Sequence, residues 1–95
     1  MANLKKATQA KAVTNGLPDL IIDCITDIKG KKIVLLDLRE LKDAPTDFFI
    51  VCEGDSTTHV RGIAGNIERR LKNEIKLHPG HVEGLEHAKW VCMDY

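Results

Sequence analysis

The sequence predicts an α/β (α+β) domain in which two helices lie on a small mixed sheet. Two stretches, Leu17 to Ile28 and Val60 to Ile75, repeat apolar residues at helical spacing. Two shorter runs, Lys32 to Leu38 and Asp47 to Glu53, are rich in β-branched and aromatic residues and have the length of strands. A chain of 95 residues has room for one modest core, so both helical stripes must be buried against the same sheet.

The elements follow in order. Residues 1–16 are rich in Lys, Ala, Thr and Asn with little apolar periodicity, and read as a flexible or frayed extension ahead of a domain spanning 17–95. Pro18 suits the first turn of a helix, and Asp19 and Asp23 suit its positive end. Leu17, Leu20, Ile21, Cys24, Ile25 and Ile28 form its apolar stripe, opposite Asp19, Asp23 and Asp27, and Gly30 marks its end. The strands at 32–38 and 47–53 are apolar throughout rather than alternating, which predicts cover on both faces. Their connection of about eight residues is too short for a helical crossover, so they should pair antiparallel. Gly54 to Thr58 breaks the chain and offers side-chain oxygens to cap a second helix. That helix buries Val60, Ile63, Ala64, Ile67, Leu71 and Ile75, exposes Arg61, Glu68, Arg69, Lys72 and Glu74, and runs to about Lys76 before Pro79-Gly80. A polar stretch from His81 to His87 and a last apolar strand, Lys89 to Tyr95, complete the chain.

Composition narrows the function. Apolar residues make up 43% and charged residues 29% of the chain, ordinary values for a globular domain. No apolar run reaches the roughly 20 residues of a membrane helix, and no secretory signal opens the chain, which predicts a cytoplasmic protein without a membrane partner. Basic and acidic residues balance at 14 each, yet residues 1–16 hold Lys5, Lys6 and Lys11 and no acid, leaving 11 basic against 14 acidic residues in the domain. That sign disfavours direct nucleic-acid binding and suits a basic protein partner. The three cysteines, Cys24, Cys52 and Cys92, sit among apolar neighbours and read as buried thiols.

Several strings within this order of elements are specific. Leu35-Leu36-Asp37-Leu38-Arg39 followed by Thr46-Asp47-Phe48-Phe49-Ile50-Val51 resembles a strand pair of the RsfS (Iojap) family of ribosomal silencing factors. Gly54-Asp55-Ser56-Thr57 is similar to the family's Gly-Thr-Ser-Ser turn. Val82-Glu83-Gly84 followed by Trp90-Val91-Cys92-Met93-Asp94-Tyr95 resembles its last motif, so the resemblance covers about Leu17 to Tyr95. It implies a fold related to nucleotidyltransferases but without their catalytic carboxylates. It also implies a non-enzymatic repressor, without cofactor or metal, that binds the large ribosomal subunit at its interface protein number fourteen and blocks joining of the small subunit under nutrient limitation. Carried over by position, the partner-binding residues are Trp90, Asp94 and Tyr95, with Glu83, Gly84 and Lys89 beside them and Asp47 and Phe48 in the other motif. Family members continue past the Asp-Tyr pair into another strand and a tail. The domain is therefore expected to lack that strand, and an open sheet edge would favour a homodimer.

Each candidate site has a plainer alternative. Trp90 in an apolar segment reads as core filler; the family motif makes it an exposed interface anchor instead. The turn at Gly54 to His59 could cradle a phosphate, as in a small nucleotide-binding or nucleotidyl-transferring enzyme. Asp55 would repel the anion, and Asp94 has no second carboxylate two residues away to share a magnesium ion, so helix capping is the better reading. His78, His81, Glu83 and His87 lack the compact paired spacing of a zinc site and read as a solvated loop. Asp19, Asp23 and Asp27 read as the wet face of their helix rather than as catalytic carboxylates.

Overall fold

The computed structural model describes residues 16–95; apart from Gly16, the expected N-terminal extension lies outside them. Six elements follow: α1 (Leu17–Asp27), β1 (Lys31–Asp37), β2 (Phe48–Glu53), α2 (Thr57–Ile75), β3 (His81–Glu83) and β4 (Cys92–Asp94). The strands form two separate antiparallel ladders, β1 with β2 and β3 with β4, in place of the single mixed sheet expected. Both pairs join neighbouring strands across connections too short for a crossover, which restricts them to antiparallel pairing.

Helix α1 opens at Gly16, whose φ of 77° needs no side chain, with Pro18 in the first turn. It closes where Ile28 and Gly30 both donate to the Ile25 carbonyl and Lys29 turns left-handed. Gly30 has no room for a side chain, because a Cβ there would overlap Ile25 and come within 3.3 Å of Ile63. Helix α2 opens at Ser56, whose hydroxyl accepts from the His59 N–H at 3.0 Å. The turn thus serves the capping role expected of it.

Ile22, Cys24, Ile25, Leu35, Ile63, Ala64, Ile67, Leu71 and Ala88 are buried. Cys24 and Ile25 of α1 meet Ile63, Ile67 and Leu71 of α2, while Ile50 and Cys52 of β2, Met93 of β4 and Tyr95 pack around them. Each fully buried aliphatic side chain here stabilises the fold by about 1.5–3 kcal/mol. Asn66 is the buried polar residue among those described. Its side-chain amide donates to the Cys24 carbonyl at 2.8 Å, satisfying one of the carbonyls that the end of α1 leaves open. A second polar tie joins the same helices: His59 accepts the Asp55 N–H at Nδ1, so Nε2 carries the proton and donates to the Ile28 carbonyl at 2.5 Å.

Three expectations are corrected. In the β1–β2 ladder, Val34 pairs with Val51 and Leu36 with Phe49, and Phe49 and Val51 are exposed. Only the alternate positions, among them Leu35, Ile50 and Cys52, face the helices, so β2 is covered on one side rather than two. Cys92 is exposed rather than buried, because β4 turns it outward with Asp94 while Val91 and Met93 turn inward. Asp23 and Asp27 are not merely solvated, since Arg70 Nη1 of α2 lies 2.8 Å from a carboxylate oxygen of each. Glu74 holds Arg70 Nε at 2.6 Å, and the hydrogen bonds to Glu74 and Asp23 push the guanidinium pKa further up from an already high value.

Candidate functional site

The β3–β4 hairpin gathers most of the sequence-predicted partner-binding residues. His81 pairs with Asp94, Val82 with Met93 and Glu83 with Cys92. Alternation turns Val82 and Met93 toward the core and leaves His81, Glu83, Cys92 and Asp94 outside. Below the ladder the Gly80 N–H donates to the Asp94 carbonyl at 2.6 Å. Residues 84–91 connect the two strands, and Trp90 lies in this connection rather than in the strand expected to contain it. Leaving the strand frees it from the inward–outward alternation, and its side chain stands 62% exposed, the highest value among the large exposed apolar residues described.

Gly84 and Trp90 form one structural unit. Gly84 has a φ of 93°, and a Cβ there would run into the Trp90 carbonyl oxygen and lie 3.0 Å from Cε3 and 3.1 Å from Cζ3 of the indole. The six-membered ring therefore rests on bare backbone, and both sterics and φ demand glycine. The Ala88 N–H closes the loop onto the Gly84 carbonyl at 2.8 Å. Ala88 itself is buried and takes a φ of 54°, an unusual backbone state for a residue with a side chain. Gly84, His87, Lys89 and Trp90 line a half-open groove. An exposed indole beside a lysine and a histidine suits a protein surface.

Helix α2 supplies the support that the sequence did not reveal. The Arg61 guanidinium donates through Nε and Nη2 to the Leu85 carbonyl at 3.2 and 3.1 Å, and through Nη2 to the Glu86 carbonyl at 2.9 Å. Its position on the polar face of α2 suggested only a solvated arginine, and nothing in the pattern of the loop marked two carbonyls as its acceptors.

The remaining candidates fall elsewhere. Tyr95 follows β4 directly but packs against the core cluster, with its hydroxyl buried and without a hydrogen-bond partner. That burial, more than the nearby Glu68 and Cys24, pushes its pKa up. Asp47 and Phe48 belong to the other ladder: the Asp47 carbonyl accepts the Leu38 N–H at 2.7 Å, and Phe48 lies beneath the Arg39 guanidinium, 4.8 Å from the ring centre. Asp55 is held by Lys31 at 2.9 Å, an ion pair whose hydrogen bond lowers the carboxyl pKa. The expected histidine loop is in part a strand: His81 and Glu83 both lie in β3, with His81 Nε2 3.3 Å from Glu83. Among the described residues, no three His, Cys, Asp or Glu side chains gather where a metal could be held, and no helix is long and apolar enough to cross a membrane.

Comparison with known proteins gives this hairpin a context. The RsfS family model, described as "Ribosomal silencing factor during starvation", matches residues 11–95. Curated proteins named ribosomal silencing factor RsfS are similar to the chain: that of Halalkalibacterium halodurans is 30% identical over 82% of this chain and 65% of its own length. The Chromobacterium violaceum protein is 37% identical over 79% of this chain and 60% of its own length. The chain thus spans about three fifths of the length of these relatives. A crystal structure from Bacillus halodurans superposes with a TM-score of 0.72 at 29% identity, covering 82% of this chain and 70% of that one. One from Chromobacterium violaceum gives 0.73 at 36%, covering 80% and 62%. The mixed α/β fold is shared with both, and with a family match that takes in both helices, both ladders and the Trp90 loop, the chain belongs to the RsfS family of ribosomal silencing factors.

Proposed function

We propose that the chain represses translation in the cytoplasm by docking its Trp90 face on the large ribosomal subunit, at the interface protein numbered fourteen, and sterically blocking the small subunit under nutrient limitation. The observation that carries this reading is a single tryptophan left 62% exposed on a loop tied down by Gly84, Ala88 and Arg61. Exposing an indole to water while ordering its backbone is costly for a monomer, and binding hot spots are enriched in such anchors. Glu83, Lys89 and Asp94 stand exposed in the same hairpin and would form the polar rim. The acidic balance of residues 17–95 favours encounter with a basic ribosomal protein. No catalytic step is required, since occupancy of the subunit interface is the whole mechanism.

A nucleotide-binding reading gains no support from the turn at Gly54 to His59. Ser56 is engaged as the helix cap, and Asp55 is held beside the helix start by Lys31.

Sedimentation through a sucrose gradient tests the proposal. The protein should travel with large subunits and reduce the yield of joined ribosomes when added to separated subunits. Trp90→Ala should weaken large-subunit binding about 30-fold or more, the loss expected of a central aromatic anchor. Comigration with small subunits, or joining that proceeds undisturbed at saturating protein, would refute it.

A further inference from the structure

We propose that Arg61 is the positioning residue of the Trp90 docking surface, a side chain that touches no partner itself but fixes the loop that presents the indole. The inference rests on the docking reading above. The connection between β3 and β4 leaves its carbonyls without ladder partners, and such a loop ordinarily samples many conformations. Two of those carbonyls, at Leu85 and Glu86, converge on one guanidinium anchored on α2, 24 and 25 residues away in sequence. Only arginine offers several donors in a rigid planar fork; a lysine at the same place would bring equal charge but a single flexible ammonium. The other side of the loop is fixed by the bond from the Ala88 N–H to the Gly84 carbonyl and by the seat of the indole on Gly84. Arg61 thus ties Leu85 and Glu86 to the helix, within the same connection that carries Trp90.

The consequence is preorganisation. A loop already ordered before contact loses less conformational freedom on docking, so its anchor binds more tightly without any added contact. Arg61 would then set affinity from α2, through its hold on the loop carbonyls, and through the dissociation rate more than the association rate.

The full chain carrying Arg61→Ala, Arg61→Lys or Trp90→Ala, compared with the parent, provides the test. Because Trp90 is the only tryptophan, fluorescence anisotropy and acrylamide quenching read its mobility directly, and hydrogen exchange reads the amides of residues 85–89. Both Arg61 variants should lower the anisotropy, speed exchange in that segment about tenfold and weaken large-subunit binding about 3- to 10-fold, while exchange in the α1–α2 core stays unchanged. Arg61→Lys should resemble the alanine variant, since charge is not what holds the carbonyls. If Trp90→Ala weakens binding but the Arg61 variants leave loop mobility or affinity at parental values, or if lysine restores both, the inference is overturned and the docking reading stands. If Trp90→Ala itself binds normally, the docking reading fails and this inference falls with it.

Discussion

Asn66 on α2 donates its side-chain amide to the main-chain carbonyl of Cys24 on α1, 2.8 Å away and out of contact with water. The bond joins residues 42 positions apart and closes a helix end that would otherwise bury an open acceptor. Arg69 in turn donates to the Asn66 side-chain oxygen, so both ends of the amide are used. Asn66→Ala should therefore destabilise the domain by about 1–3 kcal/mol, the cost of an orphaned buried acceptor plus the lost contacts. Asn66→Asp should cost more, because a carboxylate would face the Cys24 carbonyl without a proton to share. Urea unfolding followed by far-UV circular dichroism decides this; a midpoint unmoved in Asn66→Ala would mean that water can reach the Cys24 carbonyl.

At the far end of α2, Lys76 takes a φ of 56° while its N–H donates to the Lys72 carbonyl and the Leu77 N–H donates to the Leu71 carbonyl, each at 3.1 Å. The left-handed backbone costs a residue with a Cβ about 1–2 kcal/mol that glycine avoids. Lys76 is exposed and its side chain contributes little packing. Lys76→Gly should thus raise stability by about 1 kcal/mol, less a small penalty for the greater freedom of glycine in the unfolded chain. A lower thermal midpoint in the variant would show that the left-handed cap does not persist in solution.

What the sequence could and could not reveal divides along physical lines. Both helices, with their caps and stop signals, were legible because apolar spacing, Pro18, Ser56 and Gly30 act locally. The β1–β2 ladder was legible in its pairing but not in its exposure: Val34, Leu36, Phe49 and Val51 are apolar on the open face too, so composition alone could not tell one covered side from two. Strand β3 leaves little trace in the sequence, because His81–Glu83 offers one apolar residue in three and its pairing with β4 depends on partners 9 to 13 residues away. The motif around Trp90 pointed to a binding surface. The roles of Gly84 as its seat and Arg61 as its tie came only from three-dimensional proximity.

Gly84→Ala offers a direct check on that seat. The added methyl would meet the Trp90 carbonyl and the indole, and the backbone would remain at a φ of 93°. Strain of this kind costs about 1–3 kcal/mol, and the chain can relieve it only by moving Trp90. The variant should be less stable, and its tryptophan emission and quenching should differ from the parent's in the folded state. Large-subunit affinity should fall as well. Unaltered emission together with parental stability would mean that the ring does not rest on Gly84.

Tyr95 carries a prediction about alkaline pH. Its hydroxyl is buried without a hydrogen-bond partner, and burial raises its pKa above the ordinary value of about 10. The thiols of Cys24 and Cys52 are likewise raised, chiefly by burial, above their ordinary value near 9. For each group the folded state holds its proton more tightly than the unfolded one. Stability is therefore fully present below the ordinary pKa and declines as pH rises through it toward the higher folded value. The domain should lose stability progressively from about pH 9 upward, first as the unfolded-state thiols ionise and then as the phenol does. Tyr95→Phe removes both the unpaired hydroxyl and its titration: it should be more stable than the parent by about 1 kcal/mol at neutral pH, with a shallower decline above pH 10. Equilibrium unfolding at intervals between pH 7 and 11 measures both effects. A variant less stable than the parent at pH 7 would mean that the Tyr95 hydroxyl finds a hydrogen-bond partner in solution.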